Sequence, residues 1–339
     1  MKRIILFVSL IVFIFLLVGG CSSSIISPPV LLNGCQPFYP LEARIKNLKG
    51  DVTLLLNISE KGSVSKVSVK KSSGSEILDN AAERYAKNLT FKPANNSIRD
   101  IPASVIWIVK FIPDNVSYRI KDFNVLVFSK TSGYRHQSIE KGMSALKTMA
   151  LENNFEIDFT EDSTMITDKI LSNYKVIVFL NTSGNVLGVN EENSLENYIK
   201  NGGGFVGIHA AVDTEYDWSW YGKMIGAYFS DHPEIQKATV NVVDKNNVST
   251  KHLPDKWERI DEWYNLKNQL DENITVLANI DESTYSGGTM GDKHPFSWCH
   301  NFDGGRVWIT LGGHTEENYS EINFLKHILG GIKYAADNN

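Results

Sequence analysis

All eight histidines of the chain follow residue 135, and they are the residues best suited to chemistry. Imidazole titrates near neutral pH and is a common metal ligand, so clustered histidines suit general acid–base catalysis or metal binding. Several follow predicted strands or lie in the loops beyond them, where α/β sheets form their pockets. We expect five to converge on one cleft: His136, His209, His232, His294 and His314. The scattered His252 and His327 are expected to be ordinary surface or core residues.

The segment 202–211, GGGFVGIHAA, places His209 directly after a buried strand and between small residues. This pattern predicts a tight turn that projects the imidazole into a pocket at the carboxyl end of a central strand. Class I glutamine amidotransferases carry a cysteine at such a turn and a later His-x-Glu pair, which His314 and Glu316 supply here. The cysteine is absent, so glutaminase activity through a thioester is not expected. The alternative for His209 is a role in packing alone.

Carboxylates and aromatic residues near these histidines complete a candidate site. The candidate catalytic residues are His136, His209, His314, Asp261, Glu262 and Glu316, with Asp213 nearby, and the candidate substrate-binding residues are His232, His294, Trp218, Trp220, Trp263 and Tyr264. Flat aromatic rings pack against sugar rings, although core packing explains large aromatic residues equally well. Zinc is the alternative cofactor, with His136, His209 and His294 as its ligands. It is the weaker hypothesis because the chain has no close His-x-x-x-His pair.

Four near-continuous apolar runs, at 124–128, 176–180, 205–208 and 307–311, are typical of strands buried on both faces of a parallel sheet. Helical patterns separate the first three runs. Alternating strands and helices imply right-handed crossover connections. The sequence therefore predicts an α/β domain with a doubly wound, mostly parallel sheet, similar to flavodoxins and glutamine amidotransferases.

Residues 123–337 resemble the ThuA (trehalose utilisation) family. The matching motifs occur in the family's order: GYRH at 133–136, the strand that ends at His209, WSWY at 218–221, GAYF at 226–229, HP at 232–233, DEWY at 261–264, HP at 294–295, Trp298, GGRV at 304–307 and GGHT at 312–315. The resemblance implies an association with the metabolism of sugars and keto-sugars. Hydrolysis or isomerisation of such a substrate is the reaction that we expect. One departure is Asn247-Val248, where the family usually has His-Pro. Activity would be weakened or altered if that histidine took part in chemistry.

Residues 36–113 predict a small α+β domain. Alternating apolar residues at 52–58, 64–69 and 103–112 predict an antiparallel sheet with one open edge, and helical spacing predicts a helix at 76–87. The segment resembles the C-terminal domain of TonB through the motifs YP at 39–40, GDV at 50–52, Gly62, SSG at 72–74, LD at 78–79, AA at 81–82 and FKPA at 91–94. The resemblance implies docking to an outer-membrane transporter by strand addition. No long Pro-rich spacer follows the start of the chain, so we expect a docking module rather than energy transduction, with a structural spacer as the alternative.

The first residues predict a lipoprotein signal peptide at 1–20. A basic start precedes an uncharged apolar run at 4–18, which is shorter than the roughly 20 residues that a membrane-spanning helix needs. The sequence VGGC at 18–21 resembles a lipobox. We therefore expect cleavage before Cys21, a lipid anchor on that residue and a tether at 21–35. Three serines follow the cysteine, which favours an outer-membrane anchor facing the periplasm.

Length and charge set limits on the function. A chain of 339 residues, 42% of them hydrophobic, is long enough for two globular domains, joined here by a polar linker at 114–122. The net charge is −5 and no stripe of Lys and Arg occurs, so nucleic acid is not an expected partner. The expected function is an enzyme that acts on a carbohydrate. The alternative is a non-catalytic sugar-binding or docking protein.

Overall fold

A computed structural model describes residues 26–33, 37–112 and 121–337 of the chain. The chain divides into two compact units, Met1–Ser117 and Tyr118–Asn339. The predicted signal peptide and Cys21 lie outside the described residues. Within the three described ranges, no helix is both long enough and apolar enough to cross a membrane.

The first unit is built on a three-stranded antiparallel sheet. Its elements are β1 (Val30–Asn33), α1 (Leu41–Ile45), β2 (Gly50–Ile58), β3 (Val64–Lys71), α2 (Glu76–Lys87), β4 (Thr90–Lys92), β5 (Ala94–Asn95), β6 (Asp100–Ile101) and β7 (Ala103–Phe111). The central strand β2 pairs with β3 on one side and with β7 on the other. Alternate residues of β2, from Val52 to Ile58, are buried in the core that α2 covers. The predicted antiparallel sheet and its helix are thereby confirmed.

The second unit is a larger α/β structure. Its elements are β8 (Asn124–Phe128), α3 (Ile139–Glu152), β9 (Glu156–Thr160), α4 (Asp168–Leu171), β10 (Val176–Leu180), α5 (Val189–Lys200), β11 (Gly204–Ile208), α6 (Ser219–Ile225), β12 (Phe229–Asp231), β13 (Gln236–Val242), β14 (Lys256–Asp261), β15 (Asn265–Leu266), β16 (Thr275–Asp281), β17 (Pro295–Phe302), β18 (Gly305–Thr310) and α7 (Ile322–Ala336). Nine of the strands form one sheet, in the order β14-β13-β16-β17-β18-β11-β10-β8-β9.

This sheet is half parallel and half antiparallel. The pairings from β18 to β9 are parallel, and those from β14 to β18 are antiparallel. The α/β class is confirmed, but the predicted mostly parallel, doubly wound arrangement is not. Between residues 229 and 310, a range described throughout, the only helices are two short 3₁₀ turns. Neighbouring parallel strands need a crossover connection, so the strands of this region pair in opposite directions instead.

The parallel half brings several chain segments to one edge of the sheet. Because β8, β10, β11 and β18 run in the same direction, the residues that follow them lie at the same edge. The helix α7 packs closely behind β11 and β18. A Cβ added at Gly330 would lie 2.2 Å from Cα of Ser249, and one at Gly331 would lie 2.4 Å from the ring of Trp308. The helix therefore holds the sheet at a spacing that only glycine permits.

Gly62 and Gly74 offer a matched pair of substitutions in the first unit. Both have left-handed φ angles, +84° and +88°, so alanine costs about 1–2 kcal/mol of backbone strain at either position. A Cβ at Gly62 would lie 1.9 Å from the carbonyl oxygen of Phe91, whereas a Cβ at Gly74 meets nothing within 4 Å. We expect Gly62→Ala to lower the thermal unfolding midpoint, and the amide-exchange protection of β2, clearly more than Gly74→Ala. Equal effects would show that the turn at Gly62 can move away from β4 without loss.

Candidate functional site

Three histidines and one glutamate meet at the edge where the parallel strands end. His136 lies between β8 and α3, His209 directly follows β11, and His314 lies just beyond β18. Glu262 directly follows β14. One ligand-type atom from each of the four lies within 4.8 Å of the others. We call these four residues the histidine cluster.

Glu262 is the shared partner within the histidine cluster. Its Oε2 lies 2.8 Å from Nδ1 of His314 and 3.4 Å from Nε2 of His209. Those two ring nitrogens are 3.2 Å apart. Burial raises the pKa of Glu262, but the hydrogen bonds and charges of His209 and His314 outweigh burial. The net effect lowers the pKa, so the carboxylate stays ionised.

His209 is held at a strained turn with a fixed tautomer. Its backbone has a left-handed φ of 51°, as expected of the tight turn after the strand. Residues other than glycine rarely adopt this conformation, and strained positions are frequent at functional sites. Its Nδ1 lies 2.7 Å from the carbonyl oxygen of Leu311. Because a carbonyl can only accept, Nδ1 carries the proton and donates it, and Nε2 faces Glu262 and His314.

His136 is a buried, neutral ring. It is 3% exposed, and its ring centroid lies 4.8 Å from that of His209 and 5.0 Å from that of His314. Burial, followed by the charges of those two histidines, lowers the pKa of His136 to about 2. Its Nε2 lies 3.5 Å from the hydroxyl of Tyr264. Its Nδ1 has no hydrogen-bond partner in the part of the chain that the structure describes.

A buried ion pair fixes the backbone around Glu262 and His314. Asp261 accepts hydrogen bonds from the amides of Glu262 at 3.0 Å, Gly313 at 3.0 Å and His314 at 3.1 Å. The guanidinium of Arg259 donates to Asp261 at 3.1 Å and lies over three aromatic rings. Both oxygens of Asp261 thus hold backbone amides, which is a positioning role, and its catalytic role stays a prediction.

Arg259 was not among the site residues predicted from the sequence. The signal that could have found it is its phase in β14, where it alternates with exposed residues and shares the buried face with Trp257. Burial lowers its pKa, and the negative charges of Asp261 and Glu321 oppose that effect.

The two remaining predicted histidines lie in different surroundings. His232 is at the mouth of the cluster, with its side chain 43% exposed and its Nδ1 3.1 Å from Oε1 of Glu262. His294 is fully buried, with Nε2 2.8 Å from the carbonyl oxygen of Tyr264 and Nδ1 2.7 Å from Oε1 of Glu282. The structure thus brings four of the five histidines together and places His294 behind Tyr264. The sequence-based set of metal ligands was His136, His209 and His294. In the structure, Glu262 and His314 lie beside His136 and His209, and His294 does not.

The four aromatic residues predicted to bind substrate do not lie together. Tyr264 stacks on His209 with ring centroids 4.2 Å apart, so it belongs to the site. Trp263 is 1% exposed and donates its indole N–H to a backbone carbonyl of β13, which makes it a core residue. Trp218 stacks on Trp220, whose indole donates to Asp303 at the opposite end of β18 from the cluster. The expectation that these three tryptophans bind a ligand of the histidine cluster is therefore corrected.

Two predicted carboxylates also lie outside the cluster. Glu316 is exposed, and its carbonyl accepts the amide of Tyr319 in a short 3₁₀ turn. The His-x-Glu pair is thus not assembled, because the chain turns outward after His314. Asp213 is half-buried and accepts a hydrogen bond of 2.6 Å from the hydroxyl of Tyr216. Burial raises the pKa of Asp213, and this hydrogen bond opposes the effect.

Asn247, the departure from the family pattern, does not adjoin the histidine cluster. Its Nδ2 lies 3.6 Å from Sγ of Cys299, within β17, and its Oδ1 accepts the amide of Ser249 at 2.9 Å. Ser249 in turn packs against Gly330 of α7. The substitution therefore removes no member of the cluster.

The histidine cluster suits two kinds of chemistry. Imidazoles around an ionised carboxylate can transfer protons near neutral pH. The same nitrogen and oxygen atoms are ligands that divalent transition metals prefer. The side chain of His314 is 17% exposed and that of His232 is 43% exposed, so the cluster meets the solvent at these two rings.

Comparison with known proteins covers both units. The model of the family described as ThuA, trehalose utilisation, matches residues 124–335, and the model of the Gram-negative bacterial TonB protein C-terminal domain matches residues 35–113. Protein TonB2 of Pseudomonas aeruginosa is 40% identical over 63 residues, which are 19% of this chain and 23% of that protein. The chain therefore spans less than a quarter of the length of that relative.

Two solved structures described as putative ThuA-like proteins are similar to the chain. The protein from Bacteroides uniformis is 23% identical with a TM-score of 0.57, over 68% of this chain and 97% of that one. The protein from Parabacteroides merdae is 18% identical with a TM-score of 0.54, over 65% of this chain and 91% of that one. At these identities, the likeness shows a shared fold.

Replacing Arg259 tests how strongly the buried ion pair supports the second unit. Arg259→Met leaves Asp261 buried without its cationic partner, so we expect a loss of about 3 kcal/mol or more in unfolding free energy. The control is Lys237→Met, which breaks an exposed pair with Glu258 and should cost no more than about 1 kcal/mol. Denaturant unfolding followed by tryptophan fluorescence measures both. Similar losses for the two variants would contradict the supporting role of Arg259.

Proposed function

We propose, from the premise that this chain belongs to the ThuA (trehalose utilisation) family, that it is an enzyme acting on a carbohydrate or keto-sugar by hydrolysis or isomerisation. The family supports the class of substrate, and the histidine cluster supports the presence of reactive groups. The alternative is a protein that binds a sugar at the same place without turnover.

The observation that carries the proposal is the sharing of Glu262 by two solvent-accessible imidazoles. His232 lies at one carboxylate oxygen, at 3.1 Å, and His314 lies at the other, at 2.8 Å. Hydrolysis and sugar isomerisation both need one group that removes a proton and another that delivers one. An ionised carboxylate stabilises the imidazolium that forms when a neighbouring ring takes up a proton. Two such rings on one carboxylate suit this pair of roles.

We assign proton transfer to the two accessible rings, His232 and His314, and orientation of both to Glu262. His209 lies behind them, contacts His314 and Glu262, and is itself fully buried. Tyr264 covers one face of the His209 ring and is 3% exposed. The buried residues therefore orient the accessible ones and keep water away from their inner side.

His314→Ala should lower turnover by about 10² or more, the usual scale for a positioned acid–base group. His252→Ala is the matched control, because His252 bonds to a backbone carbonyl at Asn323 and should leave turnover unchanged. The assay uses trehalose, other disaccharides and their 3-keto forms, with circular dichroism to show that each variant is folded. If the unmodified protein binds one of these sugars but does not convert any, the non-catalytic alternative is correct.

We also propose that the first unit docks the protein to an outer-membrane transporter, while a lipid anchor at Cys21 holds it in the outer membrane, facing the periplasm. A TonB-like domain fits a protein of the cell envelope. Support for docking comes from β3 and β7, which lie at the two edges of their sheet. An edge strand offers backbone donors and acceptors to an added strand. The anchor can be checked by mass spectrometry, which should find a lipid-modified Cys21 at the mature N-terminus.

A peptide from the periplasmic segment of an outer-membrane transporter should slow amide exchange in β3 or in β7, because an added strand bonds to the edge backbone. The buried strands β10 and β11 of the second unit serve as the internal reference, with unchanged exchange. A peptide with proline at alternate positions is the control, since proline cannot donate to a ladder. Unchanged exchange at both edges with every transporter peptide would leave the unit as a spacer.

A further inference from the structure

We infer that the histidine cluster binds one divalent transition-metal ion through His136, His209, Glu262 and His314. The inference deepens the proposed function, on which it rests for its catalytic meaning: with the ion bound, Glu262 and His314 are ligands, and His232 remains the accessible ring for proton transfer. Binding of the ion can be measured without any sugar.

Three of the four donor atoms already have the spacing of ligands around one ion. Zinc bonds to imidazole nitrogen and carboxylate oxygen are about 2.0–2.2 Å long, which places tetrahedral ligands about 3.3 Å apart. Nε2 of His209, Nδ1 of His314 and Oε2 of Glu262 are separated by 2.8, 3.2 and 3.4 Å. The donor from His136 lies within 4.8 Å of each of them. Three donors therefore have the spacing of ligands around one ion, and the fourth lies within reach of them.

Hydrogen bonding alone satisfies these atoms poorly. Nδ1 of His209 donates to Leu311, so Nε2 presents a lone pair whenever the ring carries a single proton. Oε2 of Glu262 is also an acceptor. Nδ1 of His314 must then offer a single proton to two acceptors at once, at 3.2 and 2.8 Å. One cation would take lone pairs from all three atoms.

His136 adds an independent sign of a ligand site. The ring is 3% exposed, and within residues 26–33, 37–112 and 121–337 its Nδ1 has no hydrogen-bond partner. Buried polar atoms are nearly always paired, because leaving one unpaired costs about 1–3 kcal/mol. This unpaired nitrogen belongs to a buried imidazole that lies beside two other imidazoles and a carboxylate, the surroundings of a histidine ligand.

The residues behind the donors resemble the supporting contacts of known metal sites. A ligating histidine usually donates its other ring N–H to a carbonyl or carboxylate, as His209 does to Leu311. The second oxygen of Glu262 is 3.1 Å from His232. Asp261 fixes the backbone of both Glu262 and His314 through three amide hydrogen bonds. The donor atoms are thus held in place by the protein itself.

The donor set selects the class of metal. Three imidazoles and one carboxylate suit zinc and neighbouring first-row metals, whereas Mg²⁺ and Ca²⁺ prefer oxygen ligands throughout. A bound ion of this class would polarise a sugar carbonyl or lower the pKa of a water molecule. The opening beside His232 and His314 is the side from which such a ligand would approach.

Isothermal titration of the full chain with Zn²⁺, after chelator treatment and without a histidine tag, tests the inference. We expect one zinc ion per chain. Loss of a supporting residue commonly weakens a metal site about 10–100-fold, so Glu262→Gln, which removes a ligand, should weaken binding by about 100-fold or more. The matched control His252→Ala should bind like the unmodified protein, and excess Mg²⁺ should not compete.

A second variant guards against loss of folding. If Glu262→Gln does not fold, His314→Ala should still weaken zinc binding, and the visible absorption of the Co²⁺-loaded protein should change with its coordination. No stoichiometric zinc binding, or equal binding by folded variants and the unmodified protein, overturns the metal site. Zinc binding without turnover of any sugar would refute the proposed function and leave the metal site standing. Turnover of a sugar without zinc binding would refute the metal site and leave the proposed function standing.

Discussion

The hydrogen bonds that the carboxylate of Asp261 accepts determine the geometry of the candidate site. Asp261 is the last residue of β14, an edge strand in the antiparallel half of the sheet. Its carboxylate accepts hydrogen bonds from backbone amides in the loop that follows β18, a strand in the middle of the sheet. A buried carboxylate is costly unless it is paired and fully hydrogen-bonded, and Arg259 together with three amides meets that condition. Because of this contact, Glu262 and His314 reach the same place although their strands are not neighbours.

Within the cluster, chemically identical histidine side chains differ in charge state, exposure and tautomer. His136 is kept neutral by burial, while His314 and His232 are progressively more exposed around the same carboxylate. His209 has its tautomer set by a backbone carbonyl. These differences arise from position in the fold, since every ring has the same intrinsic chemistry.

Local periodicity accounts for what the sequence could predict. Apolar runs located four of the five strands of the parallel half, all but β9, and the turn after the strand at 204–208 was visible from the small residues around His209. The direction of β13, β14, β16 and β17 was not predictable from such runs, because direction depends on connections rather than on strand pattern. Glu316 and Trp220 were misplaced because closeness in sequence to a site residue or to a motif does not determine which way a loop turns. Arg259 was missed because a charged residue in a strand is usually exposed.

The residues of the histidine cluster are far apart in sequence, and this separation affects the order of events in folding. His209 and His314 lie 105 residues apart, and Ser138, close to His136, bonds to the carbonyl of Gly313 across 175 residues. Contacts between residues so far apart in sequence form late in folding, because closing a long loop costs conformational entropy before the contact becomes favourable. The β2–β3 hairpin of the first unit, in contrast, joins neighbouring segments. The hairpin would therefore form well before the four side chains of the histidine cluster meet, and no partly folded form would carry the assembled site.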